Sequence, residues 1–308
     1  MRSIVTGGAG FIGSHLVDYL VGAGDDVIVI DSLISGDLNS IKNYLDEKRV
    51  TLVSADLLSD SWQEYLSGAD RVYHLAADPD VRESSVAPEK QLNNTIIATH
   101  RVLEAMRKAC VPEIVFTSTS TVYGEASVIP TPESYTPMEP VSVYGASKLA
   151  CEALISAYSH SFSMRSWIFR FANIIGARSG HGVITDFIRK LKENPHELEI
   201  LGDGNQTKSY LEVRECIRAI MYVVSHTRDP VNTYNIGSED WISVTEIADI
   251  LCSEMGLSPQ YHYTGGSRGW IGDVPKMQLD ISRLKNLGYV PDITSGESVR
   301  IAVRAALE

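Results

Sequence analysis

The 308-residue chain lacks any apolar run approaching the ~18 residues that a membrane helix needs. Its opening residues, Met1-Arg2-Ser3-Ile4-Val5-Thr6-Gly7, lead straight into a strand-and-glycine pattern, so a secretory leader is not expected. Basic residues are in deficit: 27 Lys and Arg against 39 Asp and Glu leave a net charge of −12. That balance disfavours nonspecific binding to nucleic acid or to an acidic membrane, because either polyanion is repelled. A small anionic ligand remains compatible with it, since a local cluster of donors is enough. Cysteine is scarce and scattered. Cys110, Cys151, Cys216 and Cys252 form no C-x-x-C pair, which argues against a metal site or disulfide frame and for thiols in a reducing cytoplasm. Internal repeats and low-complexity segments are also missing, and at 44% hydrophobic the chain is neither disordered nor collagen-like.

What is present is alternation. Short β-rich runs at Ser3–Thr6, Val27–Ile30, Thr51–Val53, Arg71–Leu75, Ile114–Thr117 and Trp167–Phe169 are separated by helical patterns. Those patterns cover Ser14–Val21, Trp62–Leu66, Leu92–Lys108 and Tyr144–His160. Strands alternating with helices predict an α/β fold with a parallel sheet covered on both faces, and the strand runs are nearly continuous in Val and Ile as such burial requires. After about Asn173 the texture changes. Ser243-Val244-Thr245-Glu246 and Thr294-Ser295-Gly296-Glu297 read as capping boxes before apolar helices Ile247–Met255 and Val299–Leu307. The expected division is a first domain of residues 1–172, to which 209–236 returns, and a smaller mixed α/β domain of 173–208 and 237–308.

Gly8-Ala9-Gly10-Phe11-Ile12-Gly13 fits G-x-G-x-x-G between a strand and a helix. Such glycines permit a tight turn, a close approach of backbone to a pyrophosphate, and close helix–strand packing. Asp31 ends the next β run, 18 residues past Gly13. A carboxylate there accepts from an adenosine 2′-hydroxyl and repels a 2′-phosphate, which favours NAD over NADP.

Tyr144-Gly145-Ala146-Ser147-Lys148 puts a phenol and an ammonium one turn apart on one helix face. A nearby ammonium favours the phenolate and brings tyrosine towards a useful basicity. Read alone, Y-x-x-x-K is common and fits an exposed helix face better; downstream of a dinucleotide loop the catalytic reading is favoured. Thr117-Ser118-Thr119-Ser120-Thr121-Val122-Tyr123-Gly124 follows an apolar strand, at the end where α/β sheets bind ligands. A hydroxyl-rich strand end that satisfies its own backbone is the other reading.

Taken together, these residues resemble the extended short-chain dehydrogenase/reductase superfamily, and within it the NAD-dependent nucleotide-sugar epimerases of the UDP-glucose 4-epimerase type. The resemblance spans nearly the whole chain, including Thr6–Gly13, Asp31, Asp56-Leu57, His74-Leu75-Ala76-Ala77, Thr119–Gly124, Tyr144 with Lys148, Arg170–Asn173, Gly202-Asp203-Gly204 and Gly272-Asp273. It implies a Rossmann-type doubly wound sheet with a smaller substrate domain. It implies NAD contacts at Gly7, Gly10, Phe11, Ile12, Gly13, Asp31, Ser32, Ser35, Gly36, Asp56, Leu57, Leu75, Ala76, Ala77, Thr117 and Phe171, with Tyr144 and Lys148. Thr119 matches the catalytic Ser/Thr, Tyr144 the base and Lys148 the ribose-binding lysine. Substrate contacts are implied at Thr119, Tyr144, Asn173, Val183, Lys208, Arg268 and Asp273, and Met277 falls near the position of the sugar's C2 substituent. No metal is implied. Lys208 stands where an arginine is usual, keeping the charge without the fork, and Arg268 is shifted by two places. The usual cofactor-side asparagine becomes Thr95, with Asn94 one place early.

Ser120 and Thr121 occupy the places where related 4,6-dehydratases carry Asp-Glu and sugar-nucleotide decarboxylases a glutamate. The resemblance therefore implies an isomerase that oxidises and re-reduces one carbon of a UDP-sugar through a 4-keto intermediate, in a cytoplasmic homodimer. Dehydration or decarboxylation, net keto-sugar reduction and non-catalytic NAD binding are the competing readings. The dimer would pair the helices Leu92–Lys108 and Tyr144–His160. Cys151, Leu154, Ile155 and Tyr158 form one apolar stripe on the second of these, which suits a core face as well as a partner.

Overall fold

The computed structural model describes residues 1–81, 83–269 and 274–308. Asp273, expected to touch substrate, and its neighbour Gly272 lie outside the described residues. Packing divides the chain into two compact units.

The first comprises Met1–Val122, Glu139–Arg170 and Val224–Tyr234 and is built on a seven-stranded sheet. Its strands are β1 (Arg2–Thr6), β2 (Asp26–Asp31), β3 (Val50–Ser54), β4 (Arg71–His74), β5 (Glu113–Thr119), β6 (Arg165–Phe171) and β7 (Val231–Ile236), the last two ending at the border of the second unit. They lie in the order β7-β6-β5-β4-β1-β2-β3, and β3-β2-β1-β4-β5 pair in parallel. This is a Rossmann-type α/β fold, as expected. Ile4, Val5, Val27, Val29 and Ile30 are all at or below 1% exposure, which explains why these runs carry no polar alternation. Helices Phe11–Gly22, Ala98–Ala109 and Val143–Phe162 accompany the sheet. The stripe on the last of these faces the core: Cys151 and Ile155 are fully buried in the cluster around Ile4, Leu103 and Phe116, and Leu154 and Tyr158 pack against it.

Two helical expectations change in kind. Trp62–Leu66 yields only a 3₁₀ turn, Gln63–Leu66. The run expected at Leu92–Lys108 opens as a π turn, Leu92–Ile97, before α-helix resumes at Ala98–Ala109. Both capping boxes form as read, Ser243 with Glu246 ahead of helix Val244–Met255 and Thr294 with Glu297 ahead of helix Ser295–Leu307.

The second unit comprises Tyr123–Met138, Phe171–Val223 and Asn235–Glu308. Residues 123–138 sit here and not with the first unit, because the Thr131 N–H donates to the Gln278 carbonyl and the Thr131 carbonyl accepts from the Asp280 N–H, each at 2.9 Å. The return to the first unit is shorter than the expected 209–236. Tyr210 and Glu212 donate their N–H groups to the Ser295 and Ser298 hydroxyls at 3.0 and 3.2 Å, which ties this stretch to the C-terminal helix. The core here is Phe187, Leu191, Leu198, Ile200, Ile247, Leu251, Val299 and neighbours. Among the described residues no helix is long and apolar enough to cross a membrane, and all four cysteines carry free thiols.

Candidate active site

The strand order reverses between β1 and β4, which is where open α/β sheets leave a crevice at their carboxyl ends. Gly7 leaves β1 at φ +71° with its N–H donating to the Ile30 carbonyl at 2.9 Å. A Cβ on Gly7 would lie 2.8 Å from the Ala76 nitrogen, and one on Gly13 would overlap the Gly7 carbonyl oxygen. The loop is thus as tight as backbone alone permits. Gly10 caps helix Phe11–Gly22 without any side-chain hydrogen bond, so the cap residue itself leaves the first-turn N–H groups, around Phe11 and Ile12, to another acceptor.

Asp31, 8% exposed, accepts from the Ala9 N–H at 2.9 Å and the Leu33 N–H at 2.8 Å, so the glycine loop itself orients the carboxylate. Gly36 lies beside it, a Cβ there being 3.0 Å from Asp31 Oδ1, and Ser32 and Ser35 are exposed in the same loop. Past β3, Leu57 is buried and Asp56 accepts from the Leu58 N–H at 2.8 Å. Past β4, the Leu75 N–H donates to the Thr6 carbonyl at 3.1 Å, and Ala76 and Ala77 follow, partly exposed. A glycine cradle, an uncapped helix start and an oriented carboxylate fit the pyrophosphate and ribose of NAD. Phe171 is buried at the end of β6.

Thr119 ends β5, with its hydroxyl 3.1 Å from that of Thr121 and accepting from the Thr121 N–H at 3.2 Å. Helix Val143–Phe162 starts on Ser142, whose hydroxyl accepts from the Gly145 N–H at 3.1 Å. A Cβ on Gly145 would lie 2.8 Å from the Thr121 carbonyl oxygen, so glycine lets the turn carrying Tyr144 close onto the Thr119–Thr121 loop. Burial pushes the Tyr144 phenol up to about 12; the Thr119 hydroxyl opposes this and the Asp78 carboxylate adds to it. Lys148 donates to the Thr117 carbonyl at 2.9 Å, and burial pulls its ammonium down to about 8 against the pull of Cys151 and Glu152. Among the charges near Tyr144, the Asp78 carboxylate is one that holds the phenol protonated.

Sequence spacing missed several groups around this trio. Asp78 is buried and paired with Lys90 at 3.2 Å. Glu152, one turn beyond Lys148, forms a buried ion pair with Arg170 and accepts from the Ser118 hydroxyl. His74, quoted only as part of a motif, joins Thr6 to Thr99. Thr95, already singled out in the sequence as replacing the usual asparagine, is buried, its hydroxyl donating to Gln91 Oε1 at 3.3 Å.

The residues expected to hold substrate beyond the trio lie in the second unit. Asn173 donates through Nδ2 to the Ser209 carbonyl at 3.2 Å, and its strand, Asn173–Ile175, pairs in parallel with Tyr210–Glu212. Val183 starts helix Val183–Glu193 after Gly182 and packs on the apolar cluster. Lys208 is the register partner of Met277. Arg268 is paired with Glu125 at 2.8 Å.

Residues 3–237 match the NAD dependent epimerase/dehydratase family. A chain from Methanocaldococcus jannaschii described as a putative UDP-glucose 4-epimerase is 34% identical over 307 residues, spanning 97% of this chain and 96% of that one. A solved UDP-galactose 4-epimerase superposes with a TM-score of 0.90 at 40% identity, covering 100% of this chain and 99% of its own. A dTDP-glucose 4,6-dehydratase double mutant from Streptomyces venezuelae, solved with NAD bound, superposes with a TM-score of 0.91 at 28% identity, covering 100% and 97%.

Proposed function

The chain belongs to the NAD-dependent epimerase/dehydratase family, and from that premise we propose that it interconverts the C4 epimers of a UDP-sugar, UDP-glucose and UDP-galactose foremost, with N-acetylated forms as further candidates. NAD, when bound, supplies the acceptor for hydride from the sugar and its donor on return. Tyr144 takes the proton of the sugar 4-hydroxyl, with the Thr119 hydroxyl sharing the hydrogen bond, and gives it back after the 4-keto sugar has turned over. Lys148 holds the nicotinamide ribose. Asn173, Lys208 and Arg268 hold the diphosphate, with Val183 and Met277 beside the substrate. Two subunits assemble as a homodimer in this reading.

One observation carries the choice of reaction. Ser120 and Thr121 follow Thr119, and neither is the acid that elimination of water or loss of carbon dioxide requires at these places. The dehydratase neighbour makes dehydration the second reading. Incubation with UDP-glucose, UDP-N-acetylglucosamine and UDP-glucuronate, followed by NMR and mass spectrometry, separates the two. A new C4 stereoisomer of unchanged mass supports epimerisation; loss of water or carbon dioxide refutes it.

A further inference from the structure

His74 is fully buried, yet both ring nitrogens are engaged. Nδ1 lies 2.7 Å from the Thr6 hydroxyl and Nε2 lies 2.9 Å from the Thr99 hydroxyl. The Thr6 oxygen also accepts from the Ala76 N–H at 3.3 Å. A neutral imidazole donates from one ring nitrogen and accepts at the other, so the ring is donor to one of these threonines and acceptor from the other. Cys151 completes the chain, its sulfur lying 3.3 Å from Thr99 Oγ1 and 3.5 Å from the Thr95 carbonyl oxygen, either of which its single S–H reaches. One imidazole, used once as acceptor and once as donor, thereby connects the ends of β1 and β4 to helices Ala98–Ala109 and Val143–Phe162.

Both ends of this chain abut functional groups. At one end, Thr6 precedes Gly7, and the Ala76 backbone it holds is the surface against which Gly7 is packed. At the other, Cys151 lies one turn beyond Lys148 and two turns beyond Tyr144. Phe116 touches both halves, with its ring centroid 5.8 Å from that of His74 and 4.8 Å from Lys148 Nζ. An apolar side chain would fill the same volume at no polar desolvation cost, so packing alone gives no reason for an imidazole here. A satisfied polar chain does what packing does not, because its bonds restrict the distances and directions at which its members meet.

We propose that His74 is a positioning residue for the reaction: through Thr6 it sets the backbone floor beneath NAD, and through Thr99 and Cys151 it sets the phase of the helix bearing Tyr144 and Lys148. The inference rests on the assignment of these residues to NAD binding and proton transfer.

The two arms are separable, since an asparagine amide reaches the place of Nδ1 and a glutamine amide that of Nε2. Four variants, His74→Phe, His74→Asn, His74→Gln and Thr99→Val, are checked for folding by circular dichroism and titrated with NAD by calorimetry. The kcat of each is then measured on the UDP-sugar that the wild type turns over. His74→Phe is expected to weaken NAD roughly tenfold or more and to lower kcat. His74→Asn, keeping the Thr6 bond, is expected to restore NAD affinity without kcat; His74→Gln is expected to do the reverse. Thr99→Val lowers kcat with NAD affinity within about twofold, and it decides the matter if His74→Phe does not fold. Equal NAD affinity and equal kcat across the folded variants, or losses that track stability alone, overturn the proposal. The NAD titrations involve no sugar, so they stand whichever sugar reaction the protein performs.

Discussion

Arg170 grips Glu152 with two nitrogens: Nη2 lies 2.6 Å from Oε2, and Nε lies 3.0 and 3.1 Å from the two carboxylate oxygens. Both side chains are 6% exposed. The carboxylate also receives the Ser118 hydroxyl, so this pair joins β5, β6 and the Tyr144–Lys148 helix at the end of the sheet where the proposed chemistry would take place.

Breaking that pair from one side leaves a charge buried without its partner. Glu152→Ala or Arg170→Ala is expected to cost ~3–5 kcal/mol of stability, whereas replacing both with apolar residues of similar volume costs much less. Urea unfolding of the two single variants and the double variant checks this. Additive losses would contradict it.

Tyr144 carries a prediction about pH. With its phenol pushed up to about 12, only a small fraction is phenolate near neutrality, and that fraction grows as pH rises. The rate of the proposed epimerisation is therefore expected to rise with pH across the neutral range, and Tyr144→Phe to lose at least ~10²–10⁴-fold in kcat while retaining NAD. A flat profile in stopped assays from about pH 6 to 8 would remove the phenolate from the mechanism.

The His74 imidazole is pulled down to about 3 by burial, with the Lys148 charge adding to the effect. In the unfolded chain an ordinary histidine takes up its proton near ~6.5. Between these values the unfolded state binds the additional proton, so stability falls as pH drops from about 6.5 towards about 3, by at most ~1.4 kcal/mol per unit from this group. His74→Phe should flatten that acid limb in urea midpoints measured against pH, and an unchanged slope would refute the assignment.

Arg268 and Glu125 meet at 2.8 Å with both side chains more than two-fifths exposed. If Arg268 is the diphosphate ligand, Glu125 competes with the phosphate for it. Glu125→Gln is then expected to tighten UDP inhibition by ~1.5- to 5-fold at low salt, an effect that fades at high salt and disappears in Arg268→Ala. Tighter UDP binding that persists in Arg268→Ala would show that the carboxylate acts on something else.

Much of the scaffold could be read directly from local pattern. Val and Ile runs marked all six predicted strands of the main sheet to within about two residues, because strands buried on both faces leave no polar alternation to confuse the reading. Ser243 with Glu246 and Thr294 with Glu297 are three apart, so their reciprocal bonds are visible in sequence. The seventh strand, Val231–Ile236, was not read, and neither was the passage of residues 123–138 into the second unit. That passage is fixed by Thr131 bonding to residues about 150 positions away, a relationship that no window of sequence contains. The site divides the same way. Gly7–Gly13 and Asp31 form a local motif, whereas Thr6–His74, His74–Thr99 and Glu152–Arg170 span separations of 68, 25 and 18 residues and come together only when the sheet has formed. Spacing along one helix also placed Lys148 beside Tyr144, but could not reveal that its ammonium is directed to the Thr117 carbonyl.

The π turn at Leu92–Ile97 governs which way its helix faces on either side. A turn closed i→i+5 holds about one residue more than the ~3.6 of an α turn, so residues four apart stay in line across it. Gln91, Thr95 and Thr99 follow that spacing and form a polar row. Gln91 donates to the Asp78 and Asp80 carbonyls at 3.2 and 3.4 Å, Thr95 bonds Gln91, and Thr99 meets His74. Removing any one residue from the turn would restore α spacing and swing Gln91 by ~100° about the axis, leaving Thr99 in place. The Asp78 loop would lose its mooring while the sheet kept its own. The extra residue thus works as a shim, holding Gln91, Thr95 and Thr99 in one row between the Asp78 loop and His74.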